Sequence, residues 1–370
     1  MVVKFKTVGK GQQMTAQNAT QFNDLIIRRE GRAGRITLNR PTALNALTFE
    51  QVGAIEGALK NWAGDDGVQA VILDGAGGKA LCAGGDVVSL YKSRSDGGDI
   101  AARFWRAEYR LNAMIAAYPK PYIALMGGIV MGGGIGLSAH GSHRIVTEGS
   151  RLAMPETMIG LIPDVGGLWL LANAPGHMGE YLGLLGERMG PSDALYANFA
   201  DTCVASKDLD ALVASVREPH GDPIGVAVAA FASAPPPTVI ADRQAEIDRI
   251  FSAPTIEAIQ TELEASEADW TQHARAALSL RSPLALKLTL AGIRQIRKAS
   301  SLEDSLRLEY RMTTRLYESG EFLEGVRALL VDKDKSPKWT LPRLDAVDEV
   351  TVARYMAPLD NRPELDLPER

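Results

Sequence analysis

The stretch YIALMGGIVMGGGIGLSAHG, residues 122–141, decides the fold class. Its opening run, YIALM, is apolar and β-prone, which predicts a short buried strand. The glycines that follow predict a loop leading into the start of a helix. Six glycines interrupt the run from Tyr122 to Ala139, so this stretch would make a poor membrane-spanning helix. We therefore expect a strand, a glycine-rich loop and a helix start here, in a protein without a membrane span.

Strands and helices alternate from this stretch back towards the N-terminus. Two β-rich runs around a Gly-Arg-Ala-Gly turn predict a hairpin over residues 25–38. Thr48 is the predicted N-cap of an amphipathic helix that reaches about Trp62. A buried strand at 70–75 and a helix at about 100–117 follow. This alternation favours an α/β fold over a β-sandwich or a helical bundle.

The second half of the chain has a different pattern. Strand signals end after about Ser206, and long windows rich in Ala, Leu, Glu and Arg take over. Ser300 and Glu303 have the spacing of a capping box, and they predict a helix that ends at Gly320. We therefore divide the chain into a flexible leader (1–20), an α/β core (21–205), a helical C-terminal region (206–356) and a tail (357–370).

The composition excludes several classes of protein. The 370 residues are 46% hydrophobic and 23% charged, as in soluble globular proteins. Lys and Arg number 40 against 45 Asp and Glu, and no long basic run occurs, which argues against a nucleic-acid-binding surface. Cys82 and Cys203 are too few for a disulfide framework, and the N-terminus lacks the apolar run of a secretory signal. We expect a cytoplasmic protein, or one of an organelle matrix if the source is eukaryotic.

Two glycine-rich loops are candidates for binding an anionic oxygen. LCAGGD (81–86) and MGGGIG (131–136) each follow a predicted strand. Small residues in such turns leave backbone N–H groups facing outward, and the second loop adds the positive end of a helix. Glycines that only supply unusual dihedral angles would have the same pattern. The two loops together could form an oxyanion hole with two donors.

Two carboxylates stand in an otherwise apolar segment, AMPETMIGLIPDVGG (153–167). Glu156 follows Pro155, and Asp164 lies eight residues further along, after Pro163. An apolar setting raises the pKa of a carboxyl group, which suits nucleophilic attack or general acid/base catalysis. The same spacing is compatible with Glu156 as a helix-start residue and Asp164 as a turn residue.

Other candidate sites have weaker support. Ser138 and His140 lie close together, but outside a G-x-S-x-G nucleophile elbow. Cys82 has no histidine base nearby in sequence, so we expect a small buried thiol. The five histidines show no metal-ligand spacing, and we expect no metal. A G-x-G-x-x-A pattern begins at Gly134, but too few residues follow it for the crossover helix of a dinucleotide-binding fold.

The two glycine loops and the Pro-Glu segment, in this order and spacing, resemble the crotonase (enoyl-CoA hydratase/isomerase) superfamily over roughly residues 24–205. LNRPTALNAL near the start belongs to the same resemblance. The resemblance implies a spiral of ββα units with a helical C-terminal region, and an acyl-CoA thioester as substrate. The thioester oxygen would lie between the backbone N–H groups of Gly85 and Gly133.

Within this superfamily the sequence is similar to the 3-hydroxyisobutyryl-CoA hydrolase branch. Hydratases carry a Glu three residues after the second oxyanion glycine, where this chain has Gly136. Taken alone, Glu108 has the pattern of a charge on a helix surface, but the branch places a pocket residue there. The segments that resemble the branch are MPET…PDVGG, SPLALKLTL (282–290), LRLEYRM (306–312) and FLEGVRALLVDKDKSPKW (322–339). The resemblance implies that Glu156 and Asp164 are catalytic and that the substrate is bound by Glu108, Gly133, Glu156 and Asp164.

The activity implied by the resemblance is hydrolysis of an acyl-CoA thioester, specifically 3-hydroxyisobutyryl-CoA of valine catabolism, with no cofactor other than the CoA of the substrate. Glu156 would either attack the carbonyl to give a mixed anhydride or activate a water, and the sequence leaves both routes open. The nearest alternative is an enoyl-CoA hydratase or isomerase on the same fold. A non-enzymatic CoA-binding module and an NAD-binding protein are the alternatives from other classes. We expect no nucleic-acid or membrane partner, and a homo-oligomer is left open.

Overall fold

The computed structural model of the protein describes residues 20–94, 99–360 and 362–367. The predicted leader (1–20) lies outside the described residues apart from Thr20, and so do residues 361 and 368–370 of the predicted tail. The described part of that tail packs on the body of the protein. Leu365 and Leu367 are buried, and Glu364 pairs with Arg311 at 2.8 Å.

The strands of the described chain form two sheets. The strands are β1 (Thr20–Phe22), β2 (Leu25–Glu30), β3 (Ala33–Leu38), β4 (Ala70–Gly75), β5 (Ala80–Cys82), β6 (Tyr122–Met126), β7 (Ile129–Met131), β8 (His143–Val146), β9 (Arg151–Ala153) and β10 (Thr202–Cys203). A seven-stranded sheet has the order β1-β2-β3-β4-β6-β8-β10, and a three-stranded sheet has the order β5-β7-β9. The pairs β1–β2 and β2–β3 are antiparallel, and every other named pair is parallel.

The helices lie between these strands and then fill the C-terminal half. They are α1 (Phe49–Ala63), α2 (Val87–Ser93), α3 (Ile100–Ala116), α4 (Gly133–Ser138), α5 (Gly167–Ala172), α6 (Met178–Leu185), α7 (Pro191–Tyr196), α8 (Leu209–Arg217), α9 (Ile224–Ala229), α10 (Gln244–Phe251), α11 (Ile256–Ala265), α12 (Asp269–Ser279), α13 (Pro283–Ile296), α14 (Leu302–Glu318), α15 (Glu321–Val326) and α16 (Glu349–Met356). Short 3-10 turns include Glu156–Ile159, and Arg327–Val331 forms one π-helical turn.

A repeated ββα unit connects the two sheets. β4 and β5 precede α2 and α3, β6 and β7 precede α4, and β8 and β9 precede the 3-10 turn at Glu156–Ile159. In each unit the first strand joins the large sheet and the second strand joins the small sheet. Successive units therefore wind as a spiral, which confirms the predicted α/β fold of ββα units.

Local sequence signals account for several boundaries. The Thr48 hydroxyl accepts a hydrogen bond from Gln51 N at 3.2 Å, and Gln51 Oε1 accepts one from Thr48 N at 2.9 Å, so α1 begins with a capping box. The predicted cap of α14 at Ser300 is wrong by one residue. Ser301 has the extended backbone of an N-cap, and its hydroxyl accepts from Asp304 N at 3.2 Å.

The C-terminal helices pack back onto the spiral. α13 lies against α5 and α6, α14 lies against α3, and α15 lies against the 3-10 turn that contains Glu156. The helical half therefore supplies one wall of the region where the glycine loops end. Among the described residues, no single helix is both long enough and apolar enough to cross a membrane. The consecutive helices α12 and α13 meet these two criteria only if they are counted as one segment, and they are bent by 115° relative to each other.

Candidate active site

Three loops meet because they follow three neighbouring strands of the small sheet. Gly84 and Gly85 come after β5, Gly132 and Gly133 after β7, and Glu156 after β9. These strands are parallel and adjacent in the order β5-β7-β9, so their carboxyl ends share one edge of the sheet. Ligand sites of α/β proteins form at such an edge. The spiral thus brings together segments that are far apart in the sequence.

A cavity of about 230 Å³ lies at this edge. Its apolar walls include Phe104, Trp105 and Phe322. The polar groups on its lining are those that the sequence singled out, namely Gly85, Glu108, Gly133, Glu156 and Asp164. The structure therefore brings all five predicted site residues into one cavity, and no lysine, arginine or histidine is among the described lining residues.

The two glycine loops approach each other closely. A Cβ placed on Gly133 would lie 3.3 Å from the backbone nitrogen of Gly85 and 2.6 Å from Glu108 Oε1. Gly132 has φ +47°, a conformation that favours glycine and turns the chain into the first turn of α4. Within the described chain, neither the Gly85 N–H nor the Gly133 N–H donates to a protein acceptor. Both amides are therefore available to a ligand oxygen.

Glu108 and Glu156 are buried acids that each keep one free oxygen. Glu108 is 2% exposed and Glu156 is 5% exposed. Glu108 Oε1 and Glu156 Oε2 have no hydrogen-bond partner among the described residues. Burial raises the pKa of both carboxyl groups well above the ordinary range, and the charge of Asp164 adds to the rise. The surface-charge interpretation of Glu108 is wrong, because α3 turns this residue towards the cavity.

Asp164 is the third acid, and it is held by a tyrosine that the sequence did not identify. The Tyr109 hydroxyl donates a hydrogen bond to Asp164 Oδ2 at 2.7 Å and lies 3.4 Å from Thr313 Oγ1. Burial raises the pKa of Asp164 to about 7, although the bond from Tyr109 opposes the rise. Near neutral pH this carboxyl group therefore exchanges its proton readily, which suits acid/base chemistry.

The space beside Gly136 is already filled. A Cβ on Gly136 would lie 2.7 Å from Val165 Cβ and 2.8 Å from Asn112 Nδ2. The structure therefore leaves no room at this position for the glutamate that hydratases carry. An acid from α3, Glu108, approaches the neighbouring Gly133 instead, with its Oε1 2.6 Å from where a Cβ on that glycine would lie.

The chain after Asp164 is fixed by a further buried glutamate, Glu309 of α14. Glu309 Oε2 accepts from Gly166 N at 2.7 Å, and Oε1 accepts from Leu168 N at 3.0 Å and from Ser305 Oγ at 2.8 Å. The sequence pattern did not predict this contact. The sequence does contain a signal for it: Glu309 falls seven residues after Leu302, on the apolar face of its helix, where a charged residue indicates a buried polar contact.

The remaining candidates have structural roles. Ser138 Oγ donates to Gly134 O at 2.6 Å, and His140 lies 2.8 Å from Val165 O, so serine and histidine do not form a catalytic pair. Burial raises the pKa of Cys82 to about 12, as expected for an inert thiol. Among the described residues no group of three or more His, Cys, Asp or Glu side chains is arranged to hold a metal ion.

A larger groove lies elsewhere, between α11, α13 and α16. Its volume is about 1020 Å³, but its two basic side chains are already bonded. Lys287 pairs with Glu257 at 2.7 Å, and Arg294 donates to the carbonyl oxygens of Ala253 and Pro254. The smaller cavity is therefore the better candidate for chemistry, because among the described lining residues of the two only its own include buried side-chain oxygens without a hydrogen-bond partner.

Comparison with known proteins identifies the family of the chain. The family model described as enoyl-CoA hydratase/isomerase matches residues 33–356. The chain belongs to the enoyl-CoA hydratase/isomerase family. The match includes both glycine loops, the three carboxylates of the cavity and Glu309. The crotonase superfamily expected from the sequence is thereby confirmed.

Members of the family with similar sequences include proteins named as hydrolases. The 3-hydroxyisobutyryl-CoA hydrolase, mitochondrial, of Danio rerio is 38% identical over 350 residues, which are 92% of this chain and 91% of that protein. The protein of the same name from Homo sapiens is 38% identical over 336 residues, 88% of this chain and 86% of its own length.

Two solved structures have a closely similar fold. A carnitinyl-CoA dehydratase from Mycobacterium thermoresistibile superposes with a TM-score of 0.89 and is 43% identical, covering 94% of this chain and 100% of that chain. An enoyl-CoA hydratase from Rhodobacter sphaeroides superposes with a TM-score of 0.85 and is 46% identical, covering 91% of this chain and 98% of that chain. The family and the fold are thus shared, while the reactions named within the family differ.

Proposed function

We propose that the protein is an acyl-CoA thioester hydrolase that converts 3-hydroxyisobutyryl-CoA to 3-hydroxyisobutyrate and CoA. The proposal is supported by similarity over most of the chain to relatives that carry this name. It is carried by one observation of the site. Three buried carboxyl groups share a small cavity with two free backbone N–H groups.

The N–H groups of Gly85 and Gly133 bind the thioester oxygen in this proposal. Attack on the carbonyl carbon places negative charge on that oxygen, and preorganised donors stabilise the charge without reorientation. Each donor of this kind stabilises the transition state by about 3 kcal/mol. The two donors follow β5 and β7, which are paired in parallel in the small sheet.

Glu156 initiates cleavage of the carbon–sulfur bond. Its free oxygen either attacks the carbonyl carbon, giving a mixed anhydride that water then opens, or removes a proton from an attacking water. In both routes one water is consumed, and the leaving thiolate takes up a proton. Asp164, whose pKa burial raises to about 7, supplies that proton.

Glu108 and Asp164 accept hydrogen bonds from the 3-hydroxyl group of the substrate in this proposal. An acyl chain without a hydroxyl would leave their buried oxygens unpaired, which costs binding energy. The cavity volume of about 230 Å³ encloses a short acyl group and leaves the rest of CoA outside. Leu330, which is 40% exposed, lines the same cavity where it opens to solvent.

An enoyl-CoA hydratase or dehydratase remains the second candidate function. The solved structures at 43% and 46% identity are named for such reactions. The packing at Gly136 argues against this candidate, because Val165 and Asn112 occupy the space that a glutamate would need there. The hydrolase is therefore the function that the geometry supports better.

Release of free thiol tests the proposal and separates the two candidates. With 3-hydroxyisobutyryl-CoA we expect stoichiometric CoA release, followed with a thiol reagent, and with crotonyl-CoA we expect no hydration. Glu156→Gln should lower the release rate at least about a hundredfold, since it removes the nucleophile or base. Glu180→Gln is the matched control, because Glu180 is also fully buried but pairs with Arg297 at 2.5 Å. Hydration of crotonyl-CoA without thiol release would refute the proposal.

The remaining expectations about partners stay predictions. We propose that the acyl-CoA substrate supplies the only CoA in the reaction and that no metal takes part. The relatives from Danio rerio and Homo sapiens are named mitochondrial, so a matrix location is consistent with them, whereas the cytoplasm stays a prediction. The homo-oligomer and the division into leader, core, helical region and tail stay predictions as well.

A further inference from the structure

The turn that follows Asp164 has an unusual backbone. Val165 has φ +54°, in the left-handed region that β-branched residues rarely adopt. Its neighbour Gly166 has φ +80°, which is ordinary for glycine. A strained residue persists only when its surroundings hold it, and such residues concentrate at functional sites. Here the strained residue directly follows an acid of the cavity.

Contacts from two distant parts of the chain hold this turn. Glu309 of α14 accepts the N–H groups on both sides of Gly167, at 2.7 Å from Gly166 and 3.0 Å from Leu168. His140 lies 2.8 Å from Val165 O, and since a carbonyl oxygen only accepts, the histidine Nε2–H is the donor. Burial lowers the pKa of His140 to about 4, which keeps it neutral.

Burying a carboxylate so that it accepts hydrogen bonds from two backbone amides carries a large desolvation cost. Glu309 is 0% exposed, and its three hydrogen-bond donors favour the ionised form against the burial that raises its pKa. A neutral hydroxyl or amide side chain could cap the same N–H groups with a smaller desolvation cost. The planar carboxylate offers something else, namely two oxygens that bind two amides at once and so define the orientation of the turn.

We propose that Glu309 is a positioning residue, which holds the strained Asp164–Val165 turn so that the Asp164 carboxyl group faces the cavity. Tyr109 fixes the side chain of Asp164 from α3, and Glu309 fixes the backbone behind it from α14. Glu309 thereby acts on the chemistry without touching the substrate, since it is not on the cavity lining. This inference rests on the role of Asp164 in the proposed function.

Glu309→Gln tests the inference, because an amide has one acceptor oxygen and its NH2 group would face one of the two backbone N–H groups. We expect kcat for 3-hydroxyisobutyryl-CoA to fall at least tenfold while KM changes less than threefold. Val165→Gly should reduce this effect, since glycine adopts a φ of +54° without strain. In the Val165→Gly background the loss caused by Glu309→Gln should therefore shrink to threefold or less.

Two additions keep the test decisive. Amide hydrogen exchange at Gly166 and Leu168 should become at least tenfold faster in Glu309→Gln, whatever the activity. Should that variant not fold, Ser305→Ala, which removes the hydroxyl at 2.8 Å from Glu309 Oε1, takes its place, with an expected loss of kcat of about threefold in the wild-type background and none in the Val165→Gly background. The exposed Asp66→Asn is the control and should leave kcat and both exchange rates unchanged.

The outcomes separate this inference from the proposed function. Equal losses of kcat in the wild-type and Val165→Gly backgrounds would overturn the inference, and so would unchanged exchange at the two amides. A wild-type enzyme that releases no thiol from 3-hydroxyisobutyryl-CoA would overturn the proposed function, while faster exchange in Glu309→Gln would still show that the glutamate holds the turn.

Discussion

Replacing Asp164 by asparagine should lower activity and raise stability, and the gain in stability should depend on pH. Asp164 is 5% exposed, and burial raises its pKa from 3.8 to about 7. Asparagine has nearly the same shape, and its side-chain oxygen still accepts the hydrogen bond that Tyr109 donates at 2.7 Å. The substitution therefore removes the ionisable group and its charge while leaving the shape of the side chain nearly unchanged.

The size of the effect follows from the change in pKa. A rise from 3.8 to about 7 corresponds to about 4 kcal/mol, because each pKa unit is worth about 1.4 kcal/mol. Below pH 3.8 the folded and unfolded chains both carry the proton, so ionisation costs nothing. As pH rises from about 4 to 7 the unfolded chain ionises first, so the wild-type protein loses stability, and above about 7 the loss stays constant.

Urea unfolding at pH 5 and pH 8 measures this difference. The advantage of Asp164→Asn over wild type should grow by roughly 3 kcal/mol between these pH values, while thiol release falls at least about tenfold. The exposed Asp66→Asn is the control and should show neither change. A stability difference that is the same at pH 5 and pH 8 would refute the argument from burial, and full activity would remove Asp164 from the proposed chemistry.

Two glycines of the site give further predictions. Gly136→Ala should destabilise the protein by about 1–3 kcal/mol in urea unfolding, since the new Cβ would lie 2.7 Å from Val165 Cβ and 2.8 Å from Asn112 Nδ2; an unchanged midpoint would contradict this packing. Gly133→Ala should lower kcat/KM for thiol release at least about a hundredfold, because its Cβ would lie 2.6 Å from Glu108 Oε1, inside the cavity. Far-ultraviolet circular dichroism should show the Gly133→Ala variant folded, and a wild-type kcat/KM would show that the space taken by the new Cβ is not used in the reaction.

Much of the fold was readable from local pattern. The hairpin over residues 25–38, the capped helix after Thr48 and the buried strand AVILDG all occur where their residues predicted them. These elements depend on interactions between near neighbours in sequence, namely side-chain alternation, turn glycines and a capping hydroxyl. The cap of α14 was placed one residue early, because Ser300 and Ser301 both match the pattern and only the backbone dihedral angles distinguish them.

The site was only partly readable. Glu156 and Asp164 attracted attention as acids in an apolar segment, and the resemblance to the crotonase superfamily added Gly85, Gly133 and Glu108. Glu309 was missed because it lies more than 140 residues after the turn that it binds. No periodicity or spacing connects two segments that meet only when α14 packs on the spiral.

The sequence by itself determined which segments become strands, helices and glycine turns, and it determined which side chains carry acidic groups. Only the tertiary structure decided that Glu108 faces a cavity, that Val165 fills the space beside Gly136, and that Glu309 clamps the turn after Asp164. The physical reason is the range of the forces involved. Capping, turns and amphipathic periodicity act over a few residues, whereas burial, pKa and hydrogen bonds between distant segments exist only after the parallel strands and the C-terminal helices have packed.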